Sequence, residues 1–526
     1  MPAGGTAQVR VTADTRALPV GVHQGHLVAT SGTSRVVTPV AVEKEPERYQ
    51  LTIKHIGLDG APAADYFTQI YTPGDGGDFW MPWDASGTVT LRLPRGRFTA
   101  GSYLTSGDGV SIVFQPVLDV TKDTTLVFDA RDTVPVAQSV PEPDAETRVA
   151  DAGVSGAGWG YSASAPSFAD LRIGRSDGGG GAGLTGYVSS VWLRRDSGED
   201  HERSPYAYFV ADPMPGEELL GGYARAFTKK DFAAVTETFR GRGAGTVANH
   251  WHEATDADGN YVVTGAPFVT APGVRTSYLS GEPGLRWIAG ANIGHANEWG
   301  GIDGNVLHAP ARTYRPGQRL AETWGAPPQA MTFEGRIAWF QRYRDRMAMN
   351  VPWAGDGAGH SGYDQSQDVT TRLYRGDELI ATDAGGADAE GLPAEPARYR
   401  VENDTATSRT VLSWTSGFAD GVVNLPVFAV GYQPHLDATD TARAGSVDRI
   451  PLAPAGNAGA AVSLRSLTFE VSFDDGKSWV RAPIAQSSAT VRYPKGSGWV
   501  ATRIRAADSA GSTFEQTVTR AYRYTR

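Results

Sequence analysis

The chain has 526 residues, a formal net charge of −10 and no cysteine, which excludes a disulfide framework and any thiolate metal site. Its acids are scattered and in excess, so it offers no basic face for nucleic acid. No apolar run reaches the ~20 residues of a membrane span, and the opening "MPAGGTAQVR" lacks the basic and apolar regions of a signal peptide.

With 64 Gly, 32 Pro and 13 Trp, the composition is turn-rich and aromatic, and it predicts an all-β chain with little helix. At roughly 100–200 residues per domain, it should hold three to five folding units. Residues 6–15, 21–31 and 34–43 ("TAQVRVTADT", "GVHQGHLVATS", "SRVVTPVAVE") alternate as half-buried strands separated by turns. Three strands do not close a sandwich. Residues 1–46 therefore read as the last strands of a partial fibronectin-like sandwich whose beginning lies upstream.

Residues 47–131 form a second unit. In "YQLTIKHIG" the alternation puts Leu51, Ile53 and His55 on one face and Lys54 on the other. "LPRGRF" (93–98) resembles the signature of small transthyretin-like and collagen-adhesin B-type sandwiches. Residues 132–147, "DTVPVAQSVPEPDAET", are Pro-rich and acidic and read as a linker. Many strand-like runs follow, and two sandwiches, 148–330 and 331–440, are expected. The one helix candidate, "TKKDFAAVTETF" (228–239), has capping-box spacing at Thr228 and Asp231 but ends in a better strand, so a short helix at most is expected. Residues 441–526 read as an immunoglobulin-like C-terminal sandwich.

Several constellations invite a chemical reading. Gly32-Thr33-Ser34, with Pro39 five residues on, imitates the nucleophile motif of subtilisin-like serine proteases. The residues after Ser34, "RVVTPVAV", are β-branched and alternating, which makes a strand rather than the start of a buried helix. None of the ten histidines is followed by glycine, as the family's histidine motif requires. Ser34 is read as a turn residue, and no catalytic residue is assigned.

"NHWHEATDADGNY" (249–261) is the best metal candidate. On a strand His250 and His252 share a face, as paired zinc ligands do, and Glu253 could act as a general base. No third ligand is evident. "DADGN" resembles part of a calcium loop, but no Asp or Glu lies between Asp258 and Glu282 to complete it. Calcium or zinc is thus the only cofactor to consider, and none is expected.

"SFDDGKSW" (472–479) matches an Asp-box hairpin through Ser472, Asp474, Gly476, Ser478 and Trp479, whereas a phosphate loop would need glycine where Val471 stands. Lys54 stands on a first strand, as the lysine of isopeptide-forming adhesin domains does. That bond needs a neighbouring acid, and no Glu occurs between Arg48 and Pro141. "RGD" (375–377) reads as a hairpin turn. In "DFWMPWD" (78–84), Trp80 and Trp83 are the tryptophans most suited to an exposed binding role.

The order of the strands at 6–45, "YQLTIKHIGLDGAPAAD", "APGVRTSYLSGEPGLRW" (271–287) and "YRPGQRLAETW" (314–324) is similar to the region after the catalytic domain in large secreted bacterial subtilisin-like serine proteases. "DGAGHSGYDQSQDVTTRLYRGDELI" (356–380), "EPARYRVE" (395–402), "VSFDDGKSW" and "RIRAADSAGSTFEQTVTRAY" (503–522) continue that order. The resemblance spans nearly the whole chain and includes no catalytic motif. It implies a non-catalytic, extracellular array of β-sandwiches whose signal peptide and catalytic domain lie upstream. Its partner would be that catalytic domain or a protein substrate. Two other readings come from different classes: a free-standing adhesion or glycan-binding protein, and a metal-dependent hydrolase built on His250 and His252.

Overall fold

Alternation of small, β-branched and aromatic residues runs through most of the chain, and the computed structural model forms strands where it does. The structure describes the whole chain except residues 1–4, 7, 75–76, 108, 157–158, 177–182, 199–200, 242, 244, 257–260, 263–264 and 334–338, and only the backbone of 159 and 261. Most of the glycine loop at 176–186 and of the "DADGN" turn therefore lies outside the described residues. The fold is all-β, built from several sheets. Its residues gather into two compact units: 1–137, 152–186 and 214–224 in one, and 138–151, 187–213 and 225–526 in the other.

In the first unit, Arg48–Ile56 lies between Thr88–Pro94 (antiparallel) and Thr124–Asp129 (parallel). Leu51, Ile53 and His55 are buried and Lys54 is exposed, as alternation requires. A second sheet, with Tyr66–Tyr71, Gly96–Ser106 and Gly109–Val120 in succession, supplies the facing side chains; Ile70, Phe98, Val113 and Phe128 share the core with Leu51 and Ile53. His55 is buried polar: Nδ1 donates to the Gly87 carbonyl (3.1 Å), Nε2 meets Thr68 Oγ1 (2.7 Å), and the ring stacks on Tyr66 at 3.5 Å. Burial pushes its pKa down to about 4.

Several expectations need correction: residues 148–330 are not one sandwich, since 152–186 and 214–224 gather with the first unit and Ser361–Asp364 pairs with Ile302–His308 across the expected boundary at 330. Residues 6–15 form no strand among the described residues; only Gly21–Ser31 and Ser34–Lys44 pair, as an isolated hairpin. Alternation is present at 6–15, but no strand among the described residues pairs with it. The segment 132–147 is not a linker. Val134–Ser139 is a strand pairing through Val134 and Pro135 with Ile173 and Arg172, and Ala145–Gly156 begins inside the segment. Proline removes one donor from a strand without forbidding it at a short pairing, and Val136 and Gln138 point inward. Finally, residues 331–440 and 441–526 are not separate sandwiches. Ser408–Ser416 is hydrogen-bonded along Thr513–Thr525, and Tyr399 and Trp414 share one core with Phe469, Ile504 and Tyr522. As expected, 228–239 is one 3₁₀ turn, Lys229–Asp231, with its capping box formed, followed by a strand.

The strands of the second unit that matter below are, in chain order, β1 (Phe232–Phe239), β2 (Thr246–Thr255), β3 (Gly273–Ser280), β4 (Arg286–Ala296), β5 (Ile302–His308), β6 (Arg319–Trp324) and β7 (Ser361–Asp364). One layer has β1 between antiparallel β3 and parallel β6. The other runs β2-β4-β5-β7, all antiparallel. Phe239 and Trp324 of the first layer pack with Ala248, Ala291, Ile293 and Leu307 of the second.

The Gly21–Ser31/Ser34–Lys44 hairpin differs from everything else: Val22, Val28, Val36 and Val37 are 60%, 45%, 63% and 46% exposed. A buried valine contributes roughly 1.5–3 kcal/mol, most of which is absent here. We therefore expect limited proteolysis to cut near Glu43–Arg48 and remove the hairpin while the product beginning at Tyr49 persists. A hairpin that survives as long as the rest of the chain would show that its apolar face is covered.

Candidate functional site

Strand β2 alternates without a fault: Thr246, Ala248, His250, His252 and Ala254 are buried, and the residues between them are half-buried. Both histidines thus face the opposing layer, and Glu253 faces away. The third group, which the sequence does not reveal, comes from β1, where Ala233, Val235, Glu237 and Phe239 point inward. Glu237, His250 and His252 are all 0% exposed, with their donor atoms within 4.8 Å of one another. Glu237 Oε1 lies 2.9 Å from His250 Nε2 and 3.3 Å from His252 Nε2.

By distance alone these atoms fit a metal, since ligands at ~2.0–2.1 Å around tetrahedral zinc sit about 3.3 Å apart. The chemistry of their neighbours does not fit. Arg275 lies opposite Glu237 in the β1–β3 register, is 1% exposed, and donates from Nη2 to His250 Nδ1 (2.9 Å). A guanidinium has donors only, so Nδ1 must accept and the ring's single proton sits on Nε2, the nitrogen a metal would need bare. A ligating histidine ordinarily donates its other N–H to an acceptor; His252 Nδ1 has no hydrogen-bond partner among the described residues. A divalent ion beside Arg275 would also set three positive charges against one buried carboxylate.

The arrangement is a buried charge network instead. Burial would raise the Glu237 carboxyl, but the imidazoles that face it outweigh burial and hold it well below the usual range. Ser277 Oγ donates to Oε2 and Trp324 Nε1 to Oε1 (3.4 Å). Burial pushes His250 down to about 4 against the pull of Glu237, and lowers Arg275 to about 10, still cationic at neutral pH. His250 is then a neutral bridge between cation and anion. We expect dialysed protein to contain far less than one zinc per chain and to show no saturable zinc binding in a titration. One equivalent of zinc that is lost in His250→Ala or His252→Ala would contradict this tautomer assignment.

The network continues through Trp324, whose indole stacks on His360 at 3.9 Å and 11°. His360 Nδ1 is 2.8 Å from Asp356 Oδ2 and Nε2 is 3.2 Å from Glu322 Oε1, and Arg312 reaches Glu322 at 3.3 Å. Burial opposes the charge on His360, but the two carboxylates outweigh it and raise its pKa to about 9. No sequence motif marks Glu237, Arg275, Glu322, Asp356 or His360. The available signal is parity: Glu237 sits on the apolar side of its strand.

These histidines set opposite pH limits. His360 has a folded pKa above the ordinary 6.5, so its contribution is full below pH 6.5 and is lost toward pH 9; at ~1.4 kcal/mol per pKa unit this is about 3 kcal/mol. Buried His55 and His250 and half-buried His308 have pKa values near 4, so the unfolded chain takes up protons first and stability falls from pH 6.5 toward 4. Thermal unfolding should show a maximum Tm near pH 6.5, and His360→Gln should flatten the limb between pH 6.5 and 9. A wild-type Tm constant over that limb would refute the assignment.

The remaining sequence candidates are not brought together. Ser34 begins the second strand of the exposed hairpin and pairs with Ser31, while His23 and His26 on the first strand pair with Val42 and Pro39. Trp80 is half-buried against Phe98 (5.7 Å, edge-on), while Trp83 is 62% exposed. The Asp-box is formed: Asp474 Oδ1 accepts from Ser472 Oγ (2.7 Å) and Ser478 N (2.9 Å), Ser472 Oγ accepts from Gly476 N (2.9 Å), and Trp479 lies under the Arg503 guanidinium at 4.3 Å. Hydrogen bonds from Ser478 and Ser472 lower Asp474 to about 2. Arg375-Gly376-Asp377 is the turn of a hairpin in which Arg375 pairs with Glu378.

No family model and no curated protein matches the chain. Among solved structures, the Bacillus anthracis TIE protein matches at 10% identity and TM-score 0.12, over 57% of this chain and 58% of that one. BcpA, the major pilin subunit of Bacillus cereus, matches at 8% identity and TM-score 0.12, over 53% and 98%. A SusE-like surface-located polysaccharide-binding protein from the Bacteroides thetaiotaomicron heparin utilisation locus matches at 11% identity and TM-score 0.13, over 91% and 72%. The chain spans just over half the length of the first of these. Scores this low carry no argument about function, and the all-β architecture stands on the chain's own strands.

Proposed function

We propose that this chain is a non-catalytic β-sandwich array, belonging to a secreted subtilase-like protein, that serves as a scaffold or holds substrate for an upstream catalytic domain. The observation that carries the reading is the burial of Glu237, His250 and His252 at 0% exposure, tied to Arg275, Ser277 and Trp324. A general acid or base must come within hydrogen-bond reach of a substrate, and these groups are enclosed by the two layers that position them. Ser34, the only motif-like nucleophile, sits on an exposed hairpin and pairs with Ser31.

The subtilase affiliation is supported by the stretches that carry the resemblance, and those stretches have a structural role here. "APGVRTSYLSGEPGLRW", "YRPGQRLAETW" and "DGAGHSGYDQ" supply Arg275, Ser277, Glu322, Trp324, Asp356 and His360. Three of the stretches that carry the likeness thus contribute side chains to the buried charge network. We expect the purified chain neither to cleave casein nor to be labelled by a serine-directed fluorophosphonate. Labelling that disappears in Ser34→Ala would overturn the non-catalytic reading.

A further inference from the structure

We propose that the open end of the β1–β7 sandwich is a binding site for a neutral oligosaccharide. The inference is independent of the subtilase affiliation: it concerns a cavity of about 320 Å³ within the range of ~300–1,000 Å³ usual for ligand sites. The cavity opens where β1 and β6 end and β2 begins. Its wall combines apolar surface, Ile293 included, with the polar side chains of Arg240, His295, Asp303, Asn305, Asp364 and Gln329.

Asn305 is the strongest single pointer. It lines the cavity, is 5% exposed, and neither its Oδ1 nor its Nδ2 has a hydrogen-bond partner among the described residues. A buried amide left unsatisfied costs about 1–3 kcal/mol, and such groups call for a functional explanation. An amide offers a donor and an acceptor side by side, which matches a pair of hydroxyls on adjacent carbons.

The other groups decide the ligand class. Arg240 is already engaged, its Nη1 donating to Asp437 O (3.2 Å) and its Nε 3.6 Å from Asp440 Oδ1. No spare cation is left among the residues around the cavity for a phosphate or sulfate. Asp364, directly opposite Asn305 on β7, is also engaged: Oδ1 accepts from Ser366 N (2.9 Å) and Ser366 Oγ (2.5 Å), and Oδ2 accepts from Gln367 Nε2 (2.7 Å). It fixes a polar loop and does not offer bare oxygens to a metal ion. Apart from Asp303, whose Oδ1 accepts from Asn297 Nδ2 (3.0 Å), what remains is a set of neutral donors and acceptors, suited to hydroxyls.

The rim supplies an aromatic platform. His295 and Asp303 are paired across β4 and β5, and the turn joining those strands carries Trp299, 86% exposed. Asn297 holds the turn: its Oδ1 accepts from Trp299 N (3.1 Å) and Gly301 N (2.8 Å), and its Nδ2 donates to Asp303 Oδ1 (3.0 Å). The cavity wall and the tryptophan are thus coupled through one side chain. A sugar ring has an apolar C–H face for an indole and an edge of hydroxyls for amides, so a short oligosaccharide can use both.

The test is binding of the labelled full chain to an array of defined neutral oligosaccharides (glucans, xylans, galactans and chitooligosaccharides), followed by calorimetry with the best of them. Saturable binding is expected, weakened about tenfold or more by Trp299→Ala and by Asn305→Ala and unchanged in Trp83→Ala. Trp299 is exposed, so its variant keeps the test valid if Asn305→Ala fails to fold. Absence of binding to every neutral glycan at millimolar concentration would overturn the proposal. So would binding confined to acidic glycans, or binding that depends on Trp83 and not on Trp299.

Discussion

A carboxylate removed from water must be given hydrogen bonds and a counter-charge by the protein, and Glu237 imposes that requirement on both layers of its sandwich. Its own layer answers with Arg275 and Ser277 from β3 and Trp324 from β6. The opposite layer answers with His250 and His252. Removing one partner from a buried ion pair costs about 3–5 kcal/mol because the other is left uncompensated. The two layers are therefore held in one register by polar chemistry as well as by apolar packing. His250 is central to this, since it accepts from the cation and faces the anion while remaining neutral.

The same logic extends one strand further. Glu322 sits beside Glu237 across the parallel β1–β6 pairing, and two adjacent buried carboxylates repel. His360, positively charged between Glu322 and Asp356, and Arg312 beside Glu322 offset that repulsion. Trp324 separates the two clusters, donating its N–H to one and stacking its ring on the other. These acid-base residues are withdrawn from water and paired with one another, which is the basis of the non-catalytic proposal. Asn305 differs in that it lines an open cavity with neither amide atom partnered among the described residues, and that is where binding is proposed.

Much of the local structure is legible in the sequence. Period-2 alternation identifies the strand of Leu51, Ile53 and His55 and the shared face of His250 and His252, capping-box spacing the short turn before Phe232, and motif residues the Asp-box hairpin at Ser472–Trp479. Pairing is not legible, because alternation states which way a side chain points and not which strand lies opposite. That is why the third group beside the histidines escapes it: Glu237 is only 13 residues from His250 in sequence but lies in the other layer. It is also why Ser408–Ser416 and Thr513–Thr525, about 100 residues apart, read as parts of different sandwiches. Proline content misleads at Val134–Ser139, where one missing N–H is compatible with a short strand.

The buried charge network depends on where the proton of His250 resides, and long-range ¹H–¹⁵N correlation spectra of histidine-labelled protein read it directly. At pH 7 the prediction is a neutral ring protonated at Nε2, with Nδ1 shifted as an acceptor from Arg275, and no change when zinc is added. A ring protonated at Nδ1, or an Nε2 resonance that moves on adding one equivalent of zinc, would contradict the buried charge network and restore a metal centre.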